Sequence, residues 1–116
     1  MEIRADRYRI HCDLTTMTVV CEGALLLSGV EEYHPILQLL KEMIDQQPNK
    51  MTIDLRELKY LNSSGINMFA RFAMYAQDKK QPAFELTMMG KKQIYWHERI
   101  FKNLKRLLPT LTVELD

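Results

Sequence analysis

Residues 8–13 alternate, with Tyr8, Ile10 and Cys12 on one side and Arg9 and His11 on the other. A period of two predicts a half-buried β-strand. Residues 13–16, Asp-Leu-Thr-Thr, suit a turn. Residues 17–27 are rich in Val, Leu and Thr and predict a more interior strand, with Gly23 as a bulge or bend. Past Ser28 and Gly29 the period lengthens. Tyr33, Ile36, Leu37, Leu40, Met43 and Ile44 fall on one helical face, while Glu42 and Asp45 point away. Pro35 is expected in the first turn of that helix, where a missing N–H is harmless, and Pro48 lies just past its end.

Residues 51–55, Met-Thr-Ile-Asp-Leu, predict a third strand, and residues 56–61 a connection to Asn62, Ser63, Ser64 and Gly65. From Ile66 onward, Phe69, Ala70, Ala73 and Ala76 mark a second helix. Met68, Phe72 and Tyr75 make it apolar around much of its circumference, so it is expected to be well buried. A polar break at 78–82 leads to a fourth strand over 84–89, ending at Gly90. Ile100, Phe101, Leu104, Leu107 and Leu108 predict a third, amphipathic helix, and residues 110–115 alternate as a closing strand. The order β-β-α-β-α-β-α-β predicts a small single-domain α/β fold spanning 1–116, a mixed sheet with its helices largely on one face.

Composition narrows the possibilities. The 116 residues are 47% apolar and 27% charged, enough for one hydrophobic core and unlike a disordered tail. Sixteen Lys and Arg against fifteen Asp and Glu give a net charge of +1, so no single-signed field recommends nucleic acid or an anionic membrane as partner. Charges at Glu2, Arg4 and Asp6 interrupt the start where a signal peptide would be apolar, and no stretch reaches the roughly 18 apolar residues of a membrane span. Cys12 and Cys21 fall in strands and are expected reduced and buried. These features point to a cytoplasmic protein.

Candidate chemistry is sparse. His11, His34 and His97 are scattered without metal-ligand spacing, and Ser63 has no His or Lys at a recognisable spacing to act as its base. No catalytic residue, metal or cofactor is therefore expected. The third helix is basic, with Lys91, Lys92, Arg99, Lys102, Lys105 and Arg106 in and before it, which reads as a solvated face. Tyr95 and Trp96 open that helix and are expected to pack, whereas an exposed Trp there would be a candidate anchor for a partner.

The informative segment is 62–65, between a predicted strand and a predicted helix. Asn and Ser are preferred caps, their side-chain oxygens accepting from free N–H groups of the first turn. A hydroxyl there also meets the positive end of the helix dipole. A phosphate on it would be tolerated or favoured by about 0.3–1 kcal/mol, changing the surface and not the fold.

The run Met-Thr-Ile-Asp-Leu, then Tyr60, Leu61, Asn62, Ser63, Ser64, Gly65 and Ile66, resembles the signature of the STAS family, the sulphate-transporter and anti-sigma-factor-antagonist domains. The resemblance extends over essentially the whole chain and implies the same order of elements. Stand-alone bacterial members are non-enzymatic signalling proteins acting in transcription regulation. Their partner is a serine kinase that doubles as an anti-sigma factor, and a PP2C-type phosphatase reverses the modification. By resemblance the phosphoacceptor is Ser63, with Ser64 beside it as the lesser candidate. The partner surface would comprise Asn62, Ser63, Ser64, Gly65, Asn67 and the exposed part of Met68, with Gly65 clearing the way for the partner. Asp54 matches the family Asp at the strand end, where a structural role is expected. Asn62 departs from the pattern, since switchable members carry Asp there. Two other readings are a constitutive docking module that is never phosphorylated, and a small-ligand or nucleotide-binding domain, for which no Gly-rich phosphate loop is present. The oligomeric state is left open.

Overall fold

The computed structural model describes residues 1–79 and 81–116. Nine elements follow in order: β1 (Glu2–Arg4), β2 (Tyr8–Asp13), β3 (Thr18–Leu25), α1 (Gly29–Asp45), β4 (Lys50–Leu61), α2 (Ser63–Lys79), β5 (Glu85–Gly90), α3 (Tyr95–Leu107) and β6 (Thr112–Leu115). The six strands form one sheet in the order β1-β2-β3-β4-β5-β6. The first three are joined antiparallel, and β3 to β6 run parallel. Each parallel step moves the sheet the same way through one helix, and such crossovers are right-handed. All three helices must then land on the same face. The core lies between that face and the helices, built from Val19, Cys21, Leu25, Met51, Ile53, Leu55, Leu86 and Met88 beneath Tyr33, Leu40, Phe69, Phe72 and Phe101.

The mixed α/β sheet with helices on one face is as expected, and four details differ. A short strand, β1, precedes the expected first one and pairs Ile3 with Ile10. Three residues are too few to show a period, and only the partner strand fixes them as β. Residues 56–61 are strand, not connection: β4 continues to pair with β3, through two shifts of register, as far as Leu25 and Leu61. Arg56, Glu57, Lys59 and Tyr60 mask the pattern, because this half pairs on one side only and Leu58 alone is fully buried in it. On its other side the first turn of α3 takes over. The Trp96 indole N–H donates to the Lys59 carbonyl at 3.0 Å, and His97 Nε2 lies 2.9 Å from the Leu58 carbonyl.

Pro35 sits inside α1 rather than in its first turn, since the helix begins at Gly29. Glu31 and Pro35 are both exposed, so water can satisfy the carbonyl that Pro35 leaves without a donor. The helix α2 runs on to Lys79; the remainder of the expected break at 78–82 includes Lys80, outside the described residues. Gly23 lies where the sheet is irregular, though the extra residues are on β4: the pairing shifts between Val20 and Glu22 and again between Gly23 and Ala24, where Lys59 is skipped. Its φ is +92°, and a Cβ there would strike the backbone of Arg7.

Candidate functional site

Leu61 closes β4, and the chain turns at once into α2. Asn62 makes the turn possible. Its N–H donates to the Leu25 carbonyl at 3.2 Å, and its own carbonyl accepts the first helical bond from Ile66 at 3.0 Å. Its Oδ1 accepts from the Gly65 N–H at 3.0 Å, which makes Asn62 the N-cap of α2. Its Nδ2 donates to the Leu27 carbonyl at 2.6 Å, tying the helix start to the segment that leads into α1. The buried Tyr33 hydroxyl lies 2.7 Å from Asn62 Oδ1 and 2.9 Å from the Leu25 carbonyl, and its single proton serves one of them at a time. Burial pushes the Tyr33 pKa up, keeping that proton in place.

Tyr33 is the residue sequence reasoning missed. It was visible only as one more apolar position of α1, although a Tyr hydroxyl on an otherwise aliphatic face needs a polar partner.

Ser63 is the first residue of α2, exposed to solvent, and its side chain makes no hydrogen bond among the described residues. Ser64 is half-buried, its Oγ accepting from the Gly29 N–H at 3.3 Å. No acidic side chain sits in the first turn, so the positive end of the helix is uncompensated beside Ser63. Asn67 is exposed one turn on. Met68 is not presented as expected: it is 2% exposed, its side chain turned into the core between the helices. Gly65 too has an internal reason. It is buried, and a Cβ would lie 2.7 Å from the Tyr33 hydroxyl and collide with Leu61, so glycine protects the Asn62–Tyr33 contact rather than clearing space for a partner.

Leu26, Val30, Tyr60 and Ile66 are all substantially exposed, and they flank this corner where β3 and β4 end and α1 and α2 begin. Large apolar side chains around a displayed hydroxyl are what a protein-docking surface offers.

Asp54 lies apart from the corner and does structural work. Arg56 grips it with Nε on Oδ1 at 3.0 Å and Nη2 on Oδ2 at 2.8 Å, and reaches Asp116 with Nη1 at 3.2 Å. Burial acts to raise the Asp54 pKa, but the Arg56 side-chain and backbone donors and its charge outweigh that and hold it low. His97 is wholly buried. Its Nδ1 accepts from the Lys91 N–H at 3.0 Å, which leaves Nε2 to donate to the Leu58 carbonyl. Burial lowers its pKa, favouring the neutral ring. Trp96 packs against the core as expected, its ring half-buried and its N–H engaged, so it offers no anchor; Tyr95 is the exposed aromatic there. Of the basic residues in and before α3, Lys91 pairs with Glu57 at 3.1 Å and Lys105 donates to the Leu111 carbonyl at 2.6 Å, while Arg99, Lys102 and Arg106 face solvent. No helix among the described residues is long and apolar enough to cross a membrane.

No family model matches the sequence, and no curated protein matches it either. Solved structures do. A chain in the crystal structure of the diguanylate cyclase SiaD in complex with its activator SiaC from Pseudomonas aeruginosa superposes with a TM-score of 0.74 at 12% identity, covering 100% of this chain and 99% of that one. SiaC of Pseudomonas aeruginosa gives 0.73 at 10% identity over 100% and 98% of the two chains. An anti-sigma factor antagonist from Mycobacterium paratuberculosis gives 0.58 at 14% identity, over 97% of this chain and 82% of that one. The chain thus has the STAS-like fold that its motif implied.

Proposed function

We propose that this chain is a non-enzymatic regulatory protein of the cytoplasm that binds a protein partner through the corner around Asn62, Ser63, Ser64, Gly65 and Asn67, under control of phosphorylation at Ser63. The observation that carries the reading is the placement of Ser63. Ser63 is exposed at the head of α2, the cap is already supplied by Asn62, and large apolar side chains stand exposed at the ends of the elements that meet there. A phosphate there meets the positive helix end without disturbing a contact, yet lies where a partner must desolvate it. A penalty of about 1–3 kcal/mol on the complex amounts to roughly a 5–150-fold change in affinity, sufficient for a switch. In the reading closest to anti-sigma factor antagonists, the partner is a serine kinase that is also an anti-sigma factor, and a PP2C-type phosphatase resets the protein.

The test is intact-mass and fragment mass spectrometry on the protein purified from its own host. A fraction carrying one phosphate, located at Ser63 and absent from a Ser63→Ala variant, is expected. A protein that stays unmodified, or keeps its phosphate in that variant, removes Ser63 from the mechanism.

A second reading has its own support in the likeness to SiaC, described as the activator of an enzyme and matched over nearly its whole length. Here the partner is an enzyme whose activity the bound chain raises. As a constitutive docking module, the chain would bind equally well as Ser63→Ala and Ser63→Asp; as a switch, only the second would weaken binding.

A further inference from the structure

Beside the Ser63 corner, α1 and α2 part to leave a cleft of about 230 Å³. Its apolar lining is Val30, Leu37 and Met68, and its polar rim includes Ser64 and Asn67. Tyr33 also lines it, and so do three basic side chains: His34 and Lys41 from α1 and Arg71 from α2. No acidic residue lines it, and none of these three enters an ion pair among the described residues. Lys41 Nζ instead lies 4.9 Å from the centre of the Tyr75 ring. The chain as a whole is almost neutral, so a cationic cleft without a carboxylate is a local departure.

The volume selects the class of occupant. Small-molecule and cofactor sites run to about 300–1,000 Å³, and this cleft falls below that range, with room for one or two side chains. Apolar walls with unpaired cations at the rim complement an apolar side chain adjacent to a carboxylate. Charge complementarity of this kind fixes register and speeds encounter.

We infer that the cleft between α1 and α2 receives a segment of the protein partner that carries an Asp or Glu next to a large apolar residue. The inference rests on the regulatory reading above and gives the switch a physical form. Ser64 is on the rim and Ser63 adjoins it, so a phosphate on Ser63 would set negative charge at the mouth of a cleft that attracts an acidic segment.

Phage display of random dodecapeptides on the unphosphorylated protein tests this, with Lys41→Glu/Arg71→Glu as the comparison. Both side chains project from helix surfaces, and thermal unfolding confirms that the variant is folded. Enriched peptides are expected to pair an acid with Leu, Ile or Phe. They should bind the charge-reversed variant about tenfold more weakly or worse, lose affinity with added salt, and shift the amide resonances of Val30, Asn67, Met68 and Arg71. The inference is overturned if no peptide is enriched, if enriched peptides lack acids, if the variant binds them equally, or if they map elsewhere. The same peptides separate the two readings. Peptides that occupy the cleft but bind Ser63→Asp as tightly as the parent keep the cleft and dismiss the switch; a host-phosphorylated Ser63 with no peptide in the cleft does the reverse.

Discussion

The two polar atoms of the Asn62 carboxamide face opposite kinds of neighbour. Oδ1 meets the donors Gly65 N–H and Tyr33 O–H, whereas Nδ2 meets the Leu27 carbonyl. A carboxylate would satisfy the first pair but turn an oxygen towards the Leu27 carbonyl, replacing a hydrogen bond by repulsion. This accounts for Asn where the related signature carries Asp. Asn62→Asp is expected to destabilise the protein at neutral pH by about 1–3 kcal/mol, the cost of an unsatisfied buried group. The neutral acid can donate to Leu27, so its pKa in the folded chain rises above the unfolded value of about 3.9. The folded state then holds the proton more tightly, and the deficit shrinks as pH falls through the folded pKa. Urea unfolding of both proteins between neutral and acid pH measures this; a deficit independent of pH would contradict it.

Among the elements, the junction of α3 with the second half of β4 depends on protonation. His97 must be neutral to accept from the Lys91 N–H while donating to Leu58. Its pKa in the folded chain is lowered, chiefly by burial, so below the unfolded value of about 6.5 the unfolded chain binds more protons. Stability contributed by this site is full above that pH and declines as pH falls through the window below it, down to the folded value. Chemical unfolding of the parent and a His97→Gln variant over that window should give a smaller slope for the variant. Equal slopes would assign the acid sensitivity to other groups. The helices here were legible because their apolar period persists over three or more turns. The strands β1 and the far half of β4 were not, because neighbours that sequence order does not reveal supply their pairing and cover.

Over the whole molecule, one-sided helix packing gathers the ends of β3 and β4 and the starts of α1 and α2 at one corner, and the motif at 62–65 marks that corner in the sequence. Its chemistry was legible only in part. Exposed Ser63 and Asn67 could be placed from helical spacing, but Tyr33, 29 positions before Asn62, is joined to it only by the fold. Met68 and Gly65 belong to the interior for the same reason: their neighbours come from other elements. Since no hydrogen bond depends on the Ser63 side chain, Ser63→Ala should unfold within about 0.5 kcal/mol of the parent. Ser63→Asp and the phosphorylated protein, which place negative charge at the uncompensated helix start, should be no less stable and by up to about 1 kcal/mol more so. Calorimetry checks this, and a large loss for Ser63→Asp would show that the hydroxyl has a structural role after all.

The division of labour between adjacent residues also bears on descent. Asn62 alone secures the helix entrance, so position 63 is free to drift among Ser, Thr, Ala and Asp while the scaffold stays intact. Under the proposed switch, one substitution at position 63 would therefore silence the response to a kinase and leave the scaffold standing.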